Sequence, residues 1–251
     1  MAEAMRGYVE RGELAGVVTL LCRHDEVHVE AIGAQNLATA TPMRRDTIFR
    51  IASMTKPIAA AAAMILVEET KLRLDEPVDR WLPELADRQV LRGIDSPLDD
   101  TVPANRPITL RDLLTFRLGF GLVSTADDYL AFGRMMLNRG RHGTDRILSR
   151  PSVELMTTDQ LTSEQKAASP FFPGFWDTRG WGFGVSVITR RGHVGRSPGS
   201  FGWDGGFSTS GYCDPHEDMV GILLVQRMMY SASGFDFHAD FWTLAYQAIA
   251  D

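Results

Sequence analysis

An α/β sandwich built on one antiparallel sheet is the architecture this sequence predicts, and its order of elements is the reason. A helix and a β-hairpin come first and helices fill the middle. From Gly180 β-rich runs take over, and a last helix closes the chain. Strands from both ends must then share one sheet, with the two terminal helices side by side on one face. The 251 residues can bury a full core as one large domain or two modest ones.

Residues Met1–Leu14 read as an amphipathic helix ending near Gly12–Gly16. Val17–Leu21 and Val27–Ile32 are β-rich runs joined by the polar turn Arg23-His24-Asp25-Glu26, so a hairpin is predicted, with His24 and His28 at the surface. Ala34–Asp46 reads as a loop and Thr47–Arg50 as a short strand. The apolar helix that follows runs to about Glu69, where Thr70 stands at the position glycine would occupy at least cost. Leu72–Leu85 is proline-punctuated and Arg88–Arg106 is a polar loop. Thr109 caps a short helix through Leu114, and Ser124 with Asp127 resembles a capping box opening a helix to Leu137. Pro151 opens another short helix. Gly182–Ile188, Ser200–Trp203, Gly211–Asp214 and Met219–Gln226 read as strands, and Phe237–Ala250 as the terminal helix.

The chain is organised around Phe49-Arg50-Ile51-Ala52-Ser53-Met54-Thr55-Lys56-Pro57. In a helix Ser53 and Lys56 share one face, about a turn apart. A serine hydroxyl becomes a nucleophile when a base stands within hydrogen-bond reach. Lysine is such a base only where burial depresses its pKa. The apolar run Ile58–Val67 implies a core helix, and so a buried Lys56. The residues alone leave two readings: a nucleophile with its base, or an N-cap serine with an exposed lysine. A second Ser-x-x-Lys, Ser163–Lys166, lies in the polar stretch Thr158–Ser169 with no apolar helix behind it, and a capped surface turn explains it.

Bulk properties narrow the partners. A net charge of −6 disfavours nucleic acid and anionic membrane. No apolar run reaches membrane-spanning length, and the first residues lack an apolar signal region, so a cytoplasmic protein is expected. Cys22 and Cys213 lie far apart in β-like runs and read as free buried thiols. No metal-spaced cluster, P-loop or dinucleotide fingerprint occurs, so neither metal nor cofactor is expected.

Several segments together resemble the serine β-lactamase-like superfamily, in its class C and family VIII esterase branch. They are Phe49–Pro57, Leu66-Val67-Glu68-Glu69, Leu74–Val78, Ile108–Leu114, Gly121–Leu130, Gly199–Trp203 and Asp214–Asp218. The resemblance implies a transpeptidase-like fold in a single domain, with residues 1–74 and 145–251 as its α/β part and 75–144 as a reduced helical part. It implies that Ser53 is acylated, that Lys56 is its general base, and that the backbone N–H groups of Ser53 and Gly206 hold the oxyanion. The family's strand motif, Lys-Thr-Gly, His-x-Gly or Trp-x-Gly, is matched by Trp203-Asp204-Gly205, which makes Trp203 and Gly205 substrate-binding residues. His193-Val194-Gly195 is a competing match. Tryptophan in place of lysine removes a cation, which tilts the expected substrate from a β-lactam toward a neutral ester.

The family's Tyr-x-Asn element is missing. The five tyrosines continue as Tyr8-Val-Glu, Tyr129-Leu-Ala, Tyr212-Cys-Asp, Tyr230-Ser-Ala and Tyr246-Gln-Ala. A helical segment of more than a hundred residues is also absent, the chain passing from Phe120-Gly121 straight to Leu122-Val123. The resemblance therefore leaves two functions open, a weakened serine hydrolase and a catalytically silent fold or remnant. Gly195-Arg196-Ser197-Pro198-Gly199 mimics a nucleophile elbow, but Pro198-Gly199 does not start a helix, so a turn is expected.

Overall fold

The computed structural model describes residues 1–93, 95–115, 121–169, 171–229 and 236–250. The eight-stranded antiparallel sheet comprises β1 (Gly16–Arg23), β2 (Glu26–Asn36), β3 (Thr41–Pro42), β4 (Arg179–Trp181), β5 (Ser186–Ile188), β6 (Phe201–Gly205), β7 (Thr209–Asp214) and β8 (Met219–Leu224). Their spatial order is β4-β5-β6-β7-β8-β1-β2-β3, so the first strand pairs with the last, Leu20 opposite Ile222. The first hairpin turns at His24 and Asp25, both at positive φ, which suits the twist of a tight two-residue turn.

The helices are α1 (Ala2–Glu10), α2 (Thr55–Glu68), α3 (Leu110–Leu114), α4 (Ala126–Leu137), α5 (Arg150–Met156), α6 (Ser163–Ala168) and α7 (Asp236–Gln247). On one face of the sheet α1 and α7 lie together, with Met5, Tyr8, Phe237 and Phe241 packed around Leu223. Tyr8 donates to Asp240 across that helix pair at 2.6 Å. On the other face α2, α4 and α5 bury Met64, Met136 and Met156 against Leu20, Val220 and Ile222. No described helix is long and apolar enough to cross a membrane. Cys22 and Cys213 are both free and buried.

Five local readings are corrected. The supposed loop Ala34–Asp46 contains β3 and the end of β2. Arg88–Arg106 is not a plain loop but a hairpin pairing Val90 with Val102, with an Arg92–Asp100 ion pair beside it. Ser124 does not cap α4: backbone pairing with Phe49 draws it into a strand, and Thr125 accepts from the Asp128 N–H instead. Gly182–Val185 is a turn between β4 and β5 rather than strand, because Gly184 adopts φ +73° and meets the Lys56 carbonyl so closely that a Cβ would collide. Finally, α2 is not buried all round. Its face bearing Ala59, Ala62 and Leu66 is exposed, and alanine's small apolar area makes that tolerable.

Candidate active site

A two-residue strand, Phe49–Arg50, leads into a tight 3-10 turn, Ala52–Met54, and then directly into α2. Ala52 sits at φ +46°, a left-handed conformation that costs a residue with a Cβ roughly 1 kcal/mol or more. Surrounding bonds hold it there. The Ile51 N–H donates to the Leu122 carbonyl at 3.1 Å, and the Ile51 carbonyl accepts from Met54 N–H and from Thr209 Oγ1. Leu122 in turn donates to Thr55 Oγ1, so the strand after Gly121 straps the serine turn from outside. Pro57 falls in the first turn of α2, where its missing N–H leaves no helical bond unmade.

Ser53 and Lys56 are both partly buried, and Lys56 Nζ donates to Ser53 Oγ at 2.8 Å. Burial lowers the lysine pKa from its ordinary 10.5, because desolvation disfavours the ammonium. The strand triplet stands opposite. Gly205 presses against the serine turn, where an added Cβ would lie 2.4 Å from the Ile51 carbonyl oxygen and 2.2 Å from Thr209 Oγ1. Its neighbour Gly206 faces open space, with its carbonyl accepting from Met229 N–H at 2.9 Å. Ser53, Gly205, Gly206 and Trp203 thus border one cleft of about 850 Å³.

Trp203 packs as well as lines. Its buried ring meets Trp181 edge-on at 4.6 Å and neighbours Phe171 and Phe175. Phe171, Phe172 and Phe175 line the same cleft, and the aromatic run Phe171–Trp176 was the sequence signal available for this wall. Arg179, Arg196, Asp204 and His238 form a polar group within the lining that sequence reasoning missed. Asp204 accepts from Ser210 Oγ at 2.6 Å and Tyr212 Oη at 3.1 Å. Burial pushes its pKa up, but the charges of His238, Arg196 and Arg179 and the Ser210 bond outweigh that and hold it below the ordinary value. Burial and the nearby Asp204 push the Tyr212 hydroxyl up to about 12.

The competing motifs lack the strand or helix context that their roles require. His193 and Val194 reach the cleft from an exposed turn, outside any strand. Ser197 is buried, with its N–H donating to Asp214 and its Oγ accepting from Arg191, and no helix follows it. Ser163 opens α6, and Lys166 bonds Asp159 rather than Ser163. Of the tyrosines, Tyr8 bonds Asp240, Tyr129 is buried in the core, Tyr212 bonds Asp204 and Tyr246 bonds Asp214. Tyr230 lies outside the described residues, as does Phe116–Phe120. Among the described residues no tyrosine lines the cleft, and no three His, Cys, Asp or Glu side chains converge as a metal site requires.

The family model described as Beta-lactamase matches residues 1–121 and again 119–241. The two stretches meet where the chain lacks the helical segment. Protein Rv1367c of Mycobacterium tuberculosis is 30% identical over 355 residues, covering 89% of this chain and 88% of that protein. An alignment longer than this 251-residue chain means that over a hundred positions have no counterpart here. Esterase EstB of Burkholderia gladioli is 41% identical over 109 residues, 43% of this chain and 25% of its own length. Other relatives carry the names of acyltransferases. Unliganded simvastatin synthase LovD from Aspergillus terreus shares the fold at a TM-score of 0.78 and 17% identity, over 97% of this chain and 96% of that one. Matched along nearly its whole length, the chain belongs to the β-lactamase family, within the serine β-lactamase-like superfamily.

Proposed function

We propose that this protein is a serine hydrolase that forms an acyl-enzyme at Ser53 and acts on small esters in preference to β-lactams. The 2.8 Å contact between Ser53 Oγ and Lys56 Nζ, at the edge of an aromatic cleft, carries this reading. In its neutral form Lys56 takes the hydroxyl proton as Ser53 Oγ bonds to the ester carbonyl carbon. The carbonyl oxygen becomes an oxyanion, received by the N–H groups of Ser53 and Gly206. Collapse breaks the bond to the alcohol, which leaves with the proton from Lys56. Water then attacks the acyl-enzyme by the same route, with Lys56 again the base.

Trp203, at the place of the lysine in the Lys-Thr-Gly form of this strand, and the relatives named as esterases favour the ester over the β-lactam. The domain reading accompanies this proposal: 1–74 and 145–251 as the α/β part, 75–144 as a shortened helical part of one domain. Without the tyrosine element, Lys56 carries both proton transfers and turnover is slow. The second reading, a catalytically silent fold, rests on that missing element.

Intact mass after treatment with a fluorophosphonate separates the two. The hydrolase reading expects one adduct, absent from Ser53→Ala, and hydrolysis of 4-nitrophenyl acetate above that variant. An unlabelled protein with no excess hydrolysis of that ester or of nitrocefin establishes the silent fold.

A further inference from the structure

Arg196 lies on the loop between β5 and β6, lines the cleft that Ser53 borders, and keeps only 8% of its surface exposed. Its guanidinium stacks 4.0 Å from the ring centroid of Tyr212 and 4.8 Å from that of Trp242. Stacking offsets part of the cost of burying a cation but satisfies none of its N–H donors. Among the described residues, Nε and Nη1 of Arg196 find no hydrogen-bond partner. Asp204 accepts from Ser210 and Tyr212 but makes no bond to either of these nitrogens. A second guanidinium, Arg179, also lines the cleft and donates to the Tyr212 hydroxyl at 3.2 Å. Two cations beside one already engaged carboxylate leave this part of the cleft positive.

Buried donors left idle beside a cavity call for an acceptor that the chain does not supply. A planar, acceptor-only carboxylate matches a guanidinium in shape and charge. The surrounding wall of Phe171, Phe172, Phe175 and Trp203 suits the carbon skeleton of an organic acid better than a heavily hydrated inorganic anion. We infer that Arg196, with Arg179 at the Tyr212 hydroxyl, forms a carboxylate-binding subsite, so that the ester taken at Ser53 carries a carboxylate away from its scissile bond. The inference rests on the ester-hydrolase reading for its substrate class. It also reverses the expectation of a neutral ester: the cation missing from the Trp203 strand is supplied by a different loop.

The test uses the whole chain and two ester pairs. 4-Nitrophenyl hemiadipate carries the carboxylate on the acyl side and is compared with 4-nitrophenyl hexanoate. 4-Acetoxybenzoate carries it on the alcohol side and is compared with its methyl ester. One carboxylate ester should exceed its neutral partner in kcat/KM by roughly tenfold or more, and which pair shows this assigns the side. Arg196→Met should abolish the preference and Arg196→Lys should keep part of it. No preference in the native protein, or a preference that survives Arg196→Met, overturns the subsite. A binding measurement separates this outcome from failure of the hydrolase reading. By titration calorimetry, adipate should bind the native protein at least tenfold more tightly than 1,6-hexanediol, whether or not esters turn over. Equal affinity for the two overturns the proposal even if Arg196→Met does not fold. Adipate binding retained in a folded Arg196→Met does the same.

Discussion

Ser-x-x-Lys occurs twice in this chain, and the two copies have opposite surroundings. At 53–56 the serine stands on a turn forced through a left-handed Ala52, and a desolvated lysine donates to its hydroxyl at 2.8 Å. At 163–166 the serine is the first residue of a short exposed helix capped by Thr162, with Gln165 completing a reciprocal capping box. There the lysine turns to Asp159, whose carboxylate also receives the N–H groups of Leu161 and Trp181. Spacing puts both pairs on one helical face, so spacing is not what separates them. What separates them is the cleft beside Ser53 and the carboxylate beside Lys166.

Removing each hydroxyl breaks the comparison most directly. Ser53→Ala should lower ester turnover by about 10⁴-fold or more, whereas Ser163→Ala should stay within about twofold of the native rate. Equal losses would sink the distinction. The lysines come next: Lys56→Met should slow acylation, followed by fluorophosphonate labelling, by roughly 10²–10⁴-fold. Lys166→Met should leave labelling alone and show instead in urea unfolding, because it strips a partly buried Asp159 of its cation. A labelling defect in Lys166→Met would contradict the assignment.

A pH series sharpens the contrast further. The pKa of folded Lys56 is depressed below 10.5, so the base form and the acylation rate should rise roughly tenfold per pH unit up to that depressed value. The stability effect has the same sign. The folded state binds fewer protons at Lys56 than the unfolded chain, so this residue's contribution to stability improves as pH rises from the depressed value towards 10.5. A rate independent of pH below the depressed value would remove Lys56 as the base. The smallest effect belongs to the surface copy. Thr162→Ala should cost about 1 kcal/mol of stability in urea unfolding and leave ester turnover unchanged.

Much of the fold was legible because its signals are local. The hairpin announced itself through a polar turn at His24-Asp25, and Thr109 with Asp112 forms a capping box at a cap read from sequence. Thr70, read as standing in glycine's place, is indeed at φ +58°. The errors arose where a distant partner overrode a local preference. Ser124 is a good cap residue until Phe49 pairs with it, and Thr125 then takes the position. The polar segment Arg88–Arg106 lacks the alternation that marks a strand, yet pairs across its own turn.

By itself, then, the sequence determined that Ser53 and Lys56 share a helical face, that strands from both chain ends must pair, and to which superfamily the chain is similar. Each follows from neighbours within a few residues or from the order of such neighbourhoods. Only the tertiary structure decided that Gly205 presses against Ile51, that Gly206 opens onto the same cleft as Ser53, and that Arg196 lies buried over Tyr212 and Trp242. The reason is one of distance along the chain. More than a hundred and forty residues separate Ser53 from Arg196, and their shared cleft exists only once the sheet has closed the first strand against the last.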